Sequence, residues 1–227
     1  MARISLNPPH TLSYRLAAWF SRRRYGTVLL PAAALAHNGR VGWSYSLFEL
    51  RVQRWKRLDS GLKDLAVVAA SASIGCSWCT DFGYWEAAAR HELMAEKIRA
   101  ILEWQGSEVF TEVERLVMLY AEAMTMTPPL VTDDLVVQLR RHLDEAELVE
   151  LTAIIAVENL RSRMNAALGF TPQEAEDRWE PTGLKRATEA SYDHNEPSAA
   201  RHECCRDVRG PSRPDVLDGL PDAGYGG

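Results

Sequence analysis

Two cysteines, Cys76 and Cys79, stand three residues apart in the stretch Ile74-Gly-Cys-Ser-Trp-Cys-Thr80, in a chain whose only other cysteines are Cys204 and Cys205. On one helical turn, positions i and i+3 share a face and can bring two sulfurs within bonding reach. The spacing therefore suits a redox pair. Buried small side chains and zinc ligands remain open readings, although a four-ligand zinc site would need a second Cys/His pair that the sequence does not offer at a suitable spacing. No metal-binding or cofactor-binding residue is assigned. Cys204 and Cys205 are adjacent, an arrangement that rarely gives a disulfide of ordinary geometry, and they receive no role.

Gly75 breaks the helical pattern just before Cys76, and a new helix is expected to start at or near Ser77 and to run through Arg99. The cysteines then lie at a helix N-terminus, where free N–H groups and the macrodipole favour a thiolate. The preceding segment, Leu62–Ser73, is rich in Ala and Val with almost no polar surface, so it should be central to the core. Leu12, Leu16 and Trp19/Phe20 have helical spacing and define an amphipathic arm over Leu12–Tyr25, packed on the main body or on a neighbouring subunit. Pro31 opens a new segment, and Val41–Leu58 reads as a helix carrying Trp43, Leu47 and Leu50. Downstream, Thr111–Met124, Thr132 to His142 and Glu145–Leu168 read as helices, with Thr111 and Asp144 as N-caps and Gly169 as a stop. No run of strict alternation competes, and the fold class expected is all-α.

The chain has 227 residues, 46% apolar and 25% charged, with a net charge of −5. These values fit one domain plus a tail. Apolar runs such as 65–70 and 151–157 are far short of the roughly 20 residues of a membrane span, and there is no nucleic-acid motif or Gly-rich phosphate loop. Residues 1–48 hold six Arg and no acidic residue, yet Arg15 interrupts any apolar stretch of signal-peptide type. A reducing, cytoplasmic setting is the expectation, and there a Cys-x-x-Cys is more often catalytic or metal-binding than a structural staple. The organisation expected is an N-terminal helical arm over 1–30, a helical domain over 31–183 and a disordered tail over 184–227, where Pro and Gly accumulate and apolar content falls.

Several segments resemble one family in order: Leu35-Ala-His-Asn-Gly-Arg-Val41, Asp64-Leu-Ala-Val-Val68 with Ile74-Gly-Cys-Ser-Trp-Cys79, Phe110-Thr-Glu-Val-Glu-Arg115, Glu147-Leu-Val-Glu-Leu-Thr152 and Asn165-Ala-Ala-Leu-Gly169. Over roughly residues 30–170 the chain resembles the carboxymuconolactone decarboxylase superfamily, within it the cysteine-bearing AhpD-like branch. The resemblance implies an AhpD-like helical bundle assembled as a homo-trimer or homo-hexamer. It also implies thiol peroxidase or disulfide reductase chemistry, with a hydroperoxide as substrate and a dithiol, lipoyl group or thioredoxin-like protein as reductant.

In that branch an acid precedes the first cysteine by twelve residues, and a histidine follows the second by four. The acid position falls on Asp64 and the cysteines on Cys76 and Cys79, but the histidine position is Gly83. A further family histidine, just before the second cysteine, is replaced by Trp78. The implied catalytic set is Cys79 as the attacking thiol, Cys76 as the resolving one and Asp64 as proton acceptor. With both imidazoles absent, a slower peroxidase, or an exchanger using another partner, is expected. His91, about 120° round the helix from Cys79, points away from the site, and Asn165 fits either a place near the site or a structural hydrogen bond. A non-catalytic or redox-sensing oligomeric relative is the alternative from another class. Carboxymuconolactone-type decarboxylation is a third and less favoured reading, because the decarboxylase branch typically lacks the cysteine pair.

Overall fold

The computed structural model describes residues 2–90 and 95–172. Among them there is no strand, and the helices are α1 (Leu12–Tyr25), α2 (Leu30–Leu35), α3 (Gly39–Val52), α4 (Ser60–Ile74), α5 (Ser77–Arg90), α6 (Ala95–Ala100), α7 (Glu112–Thr125), α8 (Asp133–Leu139) and α9 (Glu145–Ala167), with a 3₁₀ segment at Ile101–Gly106. The all-α expectation holds. The tail with Cys204 and Cys205, and His91, lie outside the described residues.

α4 is central because its sequence permits it. Leu65, Ala66, Val68, Ala69 and Ala70 are all buried, and this small-residue surface lets α5, α7 and α9 pack around one helix. α7 contributes Val117, Met118 and Ala121, α8 Leu139, and α9 Leu151 and Ile155, all fully enclosed. Each large aliphatic side chain buried in this way contributes about 1.5–3 kcal/mol.

The ends follow local chemistry. Thr11, Asn38, Asp59, Thr111, Thr132 and Asp144 each accept a backbone N–H in the first turn of the helix that follows. α7 and α9 carry complete capping boxes, Thr111 with Glu114 and Asp144 with Glu147.

Four elements depart from the sequence expectation. α2, at six residues, is too short to show a period. α3 ends at Val52 rather than Leu58 because tertiary bonds claim the next stretch: Lys63 Nζ donates to the Trp55 carbonyl at 2.6 Å, and the Arg57 N–H donates to Glu150 at 2.8 Å. α8 stops at Leu139 with Arg140 as its C-cap, short of His142. The helix expected to run through Arg99 is described as α5 and α6, on either side of residues 91–94.

Among the described residues, the apolar stripe of α1 is left largely uncovered. Leu12, Leu16, Trp19 and Phe20 are exposed, whereas Ala18 and Ser21 are buried. Tyr25, at the end of α1, does dock, meeting the rings of Phe82 and Trp85 edge-on at 5.6 and 5.7 Å.

Candidate redox site

Gly75 closes α4 in the left-handed region, φ 79°, a conformation that costs a β-carbon-bearing residue about 1 kcal/mol or more. The chain thereby reverses into α5 within two residues, and Cys76 becomes the residue that caps α5. Its carbonyl accepts the Thr80 N–H at 2.9 Å, and its sulfur accepts the Cys79 N–H at 3.3 Å. Cys76 and Cys79 are joined by a disulfide, with Cα atoms 5.3 Å apart, and both are enclosed at 2% and 5% exposure. The helix N-terminus anticipated from Gly75 is therefore where the pair sits.

A second donor comes from far along the chain. Asn165, buried near the end of α9, donates from Nδ2 to Cys79 Sγ at 3.3 Å. Each sulfur therefore has one N–H aimed at it, Cys76 from the backbone and Cys79 from a side-chain amide. Such donors interact weakly with a disulfide and more strongly with a thiolate.

Asp64 is buried on α4. The register of α4 against α5 is fixed by Ser71, whose hydroxyl meets that of Thr80 at 3.2 Å. Asp64 precedes Ser71 by seven residues, about 10 Å along the helix axis at 1.5 Å per residue. The residue facing this interval from α5 is Gly83. A β-carbon there would stand 3.0 Å from Val68 Cγ2, so a side chain at the position implied for an imidazole would crowd this valine.

Trp78 stacks on Phe82 at 5.1 Å with the planes 8° apart. Phe170 completes the buried group round the disulfide, and Ala2, Ile4 and Leu6 pack against it. That N-terminal segment is tied down at both ends. Arg3 donates its N–H to the Leu168 carbonyl at 2.8 Å and its guanidinium to the Ala167 carbonyl at 2.9 Å, and the His37 ring bonds the Ser5 carbonyl at 2.8 Å. An arginine on the last carbonyls of a helix is favoured by charge as well as by hydrogen bonding.

A polar group that sequence reasoning passed over lies on α9 one to two turns before Asn165. Arg161 donates to both carboxylate oxygens of Glu49, at 2.9 and 2.5 Å, and only at 3.5 Å to Glu158. Ser162 donates to Glu158 at 2.6 Å. Burial pushes Glu158 up to about 7, against the opposing pull of Arg161 and Ser162. Burial and the neighbouring Glu49 likewise raise Tyr45 above its ordinary range. The signal was present as Glu158-x-x-Arg161-Ser162-x-x-Asn165, a polar stripe at helical spacing in a core helix. Among the described residues no cluster of His, Cys, Asp and Glu is arranged to hold a metal.

The profile of the carboxymuconolactone decarboxylase family matches residues 41–123, the span that holds α4, α5 and the disulfide. The Escherichia coli uncharacterized protein YnjA is 36% identical over 166 residues, a match covering 71% of this chain and 89% of YnjA. The chain belongs to the carboxymuconolactone decarboxylase family. Among solved structures, a protein of unknown function from Agrobacterium tumefaciens, described as a putative antioxidant defence protein AhpD, is 26% identical with a TM-score of 0.56, covering 62% of this chain and 97% of that one. The debrominase Bmp8 is similar in fold, with a TM-score of 0.65 and 21% identity over 75% of this chain and 94% of its own.

Proposed function

We propose that the protein is a thiol-dependent peroxidase or disulfide oxidoreductase of the AhpD-like type, working through Cys76 and Cys79 in a cytoplasmic setting as a homo-trimer or homo-hexamer. The observation that carries this reading is the disulfide at the start of α5, with an N–H donor on each sulfur. In the reduced protein those donors stabilise thiolate, which is the nucleophile in both peroxide reduction and disulfide exchange. Cys79 gives up its proton and attacks the terminal oxygen of a hydroperoxide; the O–O bond breaks, leaving a sulfenic acid on Cys79 and releasing an alcohol. The Cys76 thiol condenses with the sulfenic acid, water leaves, and the disulfide re-forms. An external dithiol, such as a lipoyl group or a thioredoxin-like protein, then returns two electrons and two protons and becomes a disulfide itself.

Asp64 is the proton acceptor that the family pattern implies. Its place on α4, about two turns from the Ser71–Thr80 contact, makes it a remote one without an intervening imidazole. Cys79→Ser in the reduced protein is expected to abolish peroxide consumption coupled to a dithiol, and turnover at the wild-type rate would remove Cys79 from the role. The enclosure of both sulfurs favours a second reading, a redox-sensing oligomeric protein. Under that reading Cys76 and Cys79 exchange with dithiols stoichiometrically but show no catalytic peroxide turnover.

A further inference from the structure

Both sulfurs are enclosed, yet thiol–disulfide exchange requires a thiolate to reach one of them. Part of the surrounding structure must therefore move before a dithiol can act. The helices round the pair are poor candidates for that movement. α4 and α9 form the centre of the core, with Leu65, Ala70, Leu151 and Ile155 fully buried, and α5 is capped by Cys76 itself.

Residues 2–7 differ in kind. They lie outside any helix, and their side chains alternate: Ala2, Ile4 and Leu6 are half-buried, whereas Arg3, Ser5 and Asn7 are exposed. The three that face inward pack on the buried group of Ala34, Cys76, Trp78, Cys79 and Phe170. Among the described residues, the hydrogen bonds from this segment to the rest of the chain are those of Arg3 to the Leu168 and Ala167 carbonyls and of the His37 ring to the Ser5 carbonyl. Pro8, which is buried, and Pro9 follow, and their fixed φ makes a stiff joint between this segment and α1. Tyr25 holds the far end of α1 against Phe82 and Trp85.

The anchor of the segment adjoins the sulfur. Asn165, in the last turn of α9, donates its amide to Cys79 Sγ, and its carbonyl accepts the Phe170 N–H at 3.1 Å. Two and three residues further on, the Ala167 and Leu168 carbonyls take Arg3, and Gly169 turns the chain away at φ 70°. His37 belongs to the Leu35-Ala-His-Asn-Gly39 segment, and because a carbonyl accepts only, its Nε2 carries the proton of the bond to Ser5.

We propose that residues 2–7 form a strap over the redox pair, closed in this structure, and that a dithiol reaches Cys76 or Cys79 only after the strap lifts from the apolar group and from the end of α9. The proposal rests on the reading of the two cysteines as a pair that exchanges with dithiols. With the strap raised, one thiolate of the dithiol attacks a cysteine sulfur, the Cys76–Cys79 bond breaks and a mixed disulfide forms. The second thiol of the dithiol then displaces that cysteine. The dithiol leaves as a disulfide, and two electrons and two protons remain on Cys76 and Cys79.

Dithiothreitol is the probe, added in excess to the oxidised full chain. Samples are quenched with iodoacetamide, and the peptide holding Cys76 and Cys79 is followed in mass spectra. A local opening exposes little surface and responds weakly to denaturant, whereas global unfolding responds with the full slope. The reduction rate of the unaltered chain is therefore expected to change little with urea below the unfolding transition. A rate that climbs as steeply as the unfolding constant overturns the proposal, because the sulfurs are then reached only in the unfolded chain. Arg3→Ala and Ile4→Ser each loosen the strap, and each is expected to raise the rate without urea about tenfold, in line with the loss of one hydrogen bond or of part of an aliphatic contact. Loss of a positive charge beside the site would by itself slow an anionic thiolate, so acceleration in Arg3→Ala reports the strap and not the charge. Unchanged rates in both variants, with helical circular dichroism preserved, also overturn the proposal.

Peroxide consumption by the reduced, unaltered chain is measured separately. Faster reduction in the strap variants without peroxide consumption keeps the strap and removes the peroxidase reading. Catalytic peroxide consumption with reduction rates unmoved by Arg3→Ala and Ile4→Ser does the reverse.

Discussion

At the scale of residues, the missing imidazole has a steric explanation. Gly83 faces Val68 with room for a β-carbon only at 3.0 Å, so Gly83→His alone is expected to force Val68 aside and destabilise the protein by about 1–3 kcal/mol, as overpacked cores do. Gly83→His together with Val68→Ala opens the space. It is expected to raise the rate of peroxide reduction at neutral pH by at least about tenfold, in line with typical general-base contributions, as read by stopped-flow loss of Cys79 thiol. A rate no higher than that of Val68→Ala alone would show that an imidazole at this position cannot serve the sulfur. The cysteines and their helix N-terminus were legible because three-residue spacing and a glycine stop are local signals. Asn165 was legible only through the family resemblance, as a residue near the site or a structural hydrogen bond; its bond to Cys79 Sγ spans 86 positions and depends on how α9 crosses α5.

At the scale of elements, the helices are held by acids of opposite tendency, and stability should depend on pH through both. Burial raises Glu114, but the bonds from Lys97 and Thr111 outweigh it and leave the acid below its ordinary range. Glu150 follows the same course, its burial outweighed by Lys63 and the Arg57 N–H. A carboxyl lowered by folding stabilises the native state above its unfolded value, and that contribution is lost as pH falls through the folded one. Glu158 has the opposite sign: raised to about 7 by burial, it favours the native state at acid pH, and this advantage is lost as pH rises from the unfolded carboxyl value of about 4.3 towards neutrality. Melting temperature is therefore expected to decline between about pH 5 and about pH 8, and Glu158→Gln to remove most of that decline. A decline of equal size in the variant would assign it to another group.

The α7 cap is a separate element-level test. Thr111→Ala removes the hydroxyl that accepts the Glu114 N–H and is expected to cost about 1 kcal/mol in denaturant unfolding; no loss would mean the box is redundant with the Lys97–Glu114 pair. Thr111 and Asp144 could be read from sequence because a cap needs only its own next three residues. The early end of α3 could not, because Lys63 and Glu150, which draw residues 53–58 out of the helix, lie on α4 and α9.

At the scale of the whole molecule, α1 and α3 turn their apolar stripes outward. On α3, Trp43 is 65% exposed, Leu47 43% and Leu50 50%, positions that recur at helical spacing on one face. α1 presents Leu12, Leu16, Trp19 and Phe20 in the same manner while burying Ala18 and Ser21. Both stripes were legible in the sequence, but periodicity says only that a face is apolar and not what covers it, so the expectation of docking on the parent domain was as natural as the alternative. Exposed apolar stripes of this kind mark an association site, and a homo-trimer or homo-hexamer, as proposed for the protein, would supply the covering partner. Trp43→Glu combined with Leu47→Glu places two charges in the middle of the α3 stripe, where a desolvated, unpaired carboxylate costs several kcal/mol, while touching no core residue. Light scattering on the eluting protein should then show a mass reduced to that of a smaller assembly or of the single 25.5 kDa chain, with helical circular dichroism preserved. An unaltered mass would place the subunit contact elsewhere, with α1 the next face to charge. Because the disulfide is overlaid by the N-terminal segment that leads into α1, dissociation is also expected to change the rate at which a dithiol reduces Cys76 and Cys79, measured on the same samples.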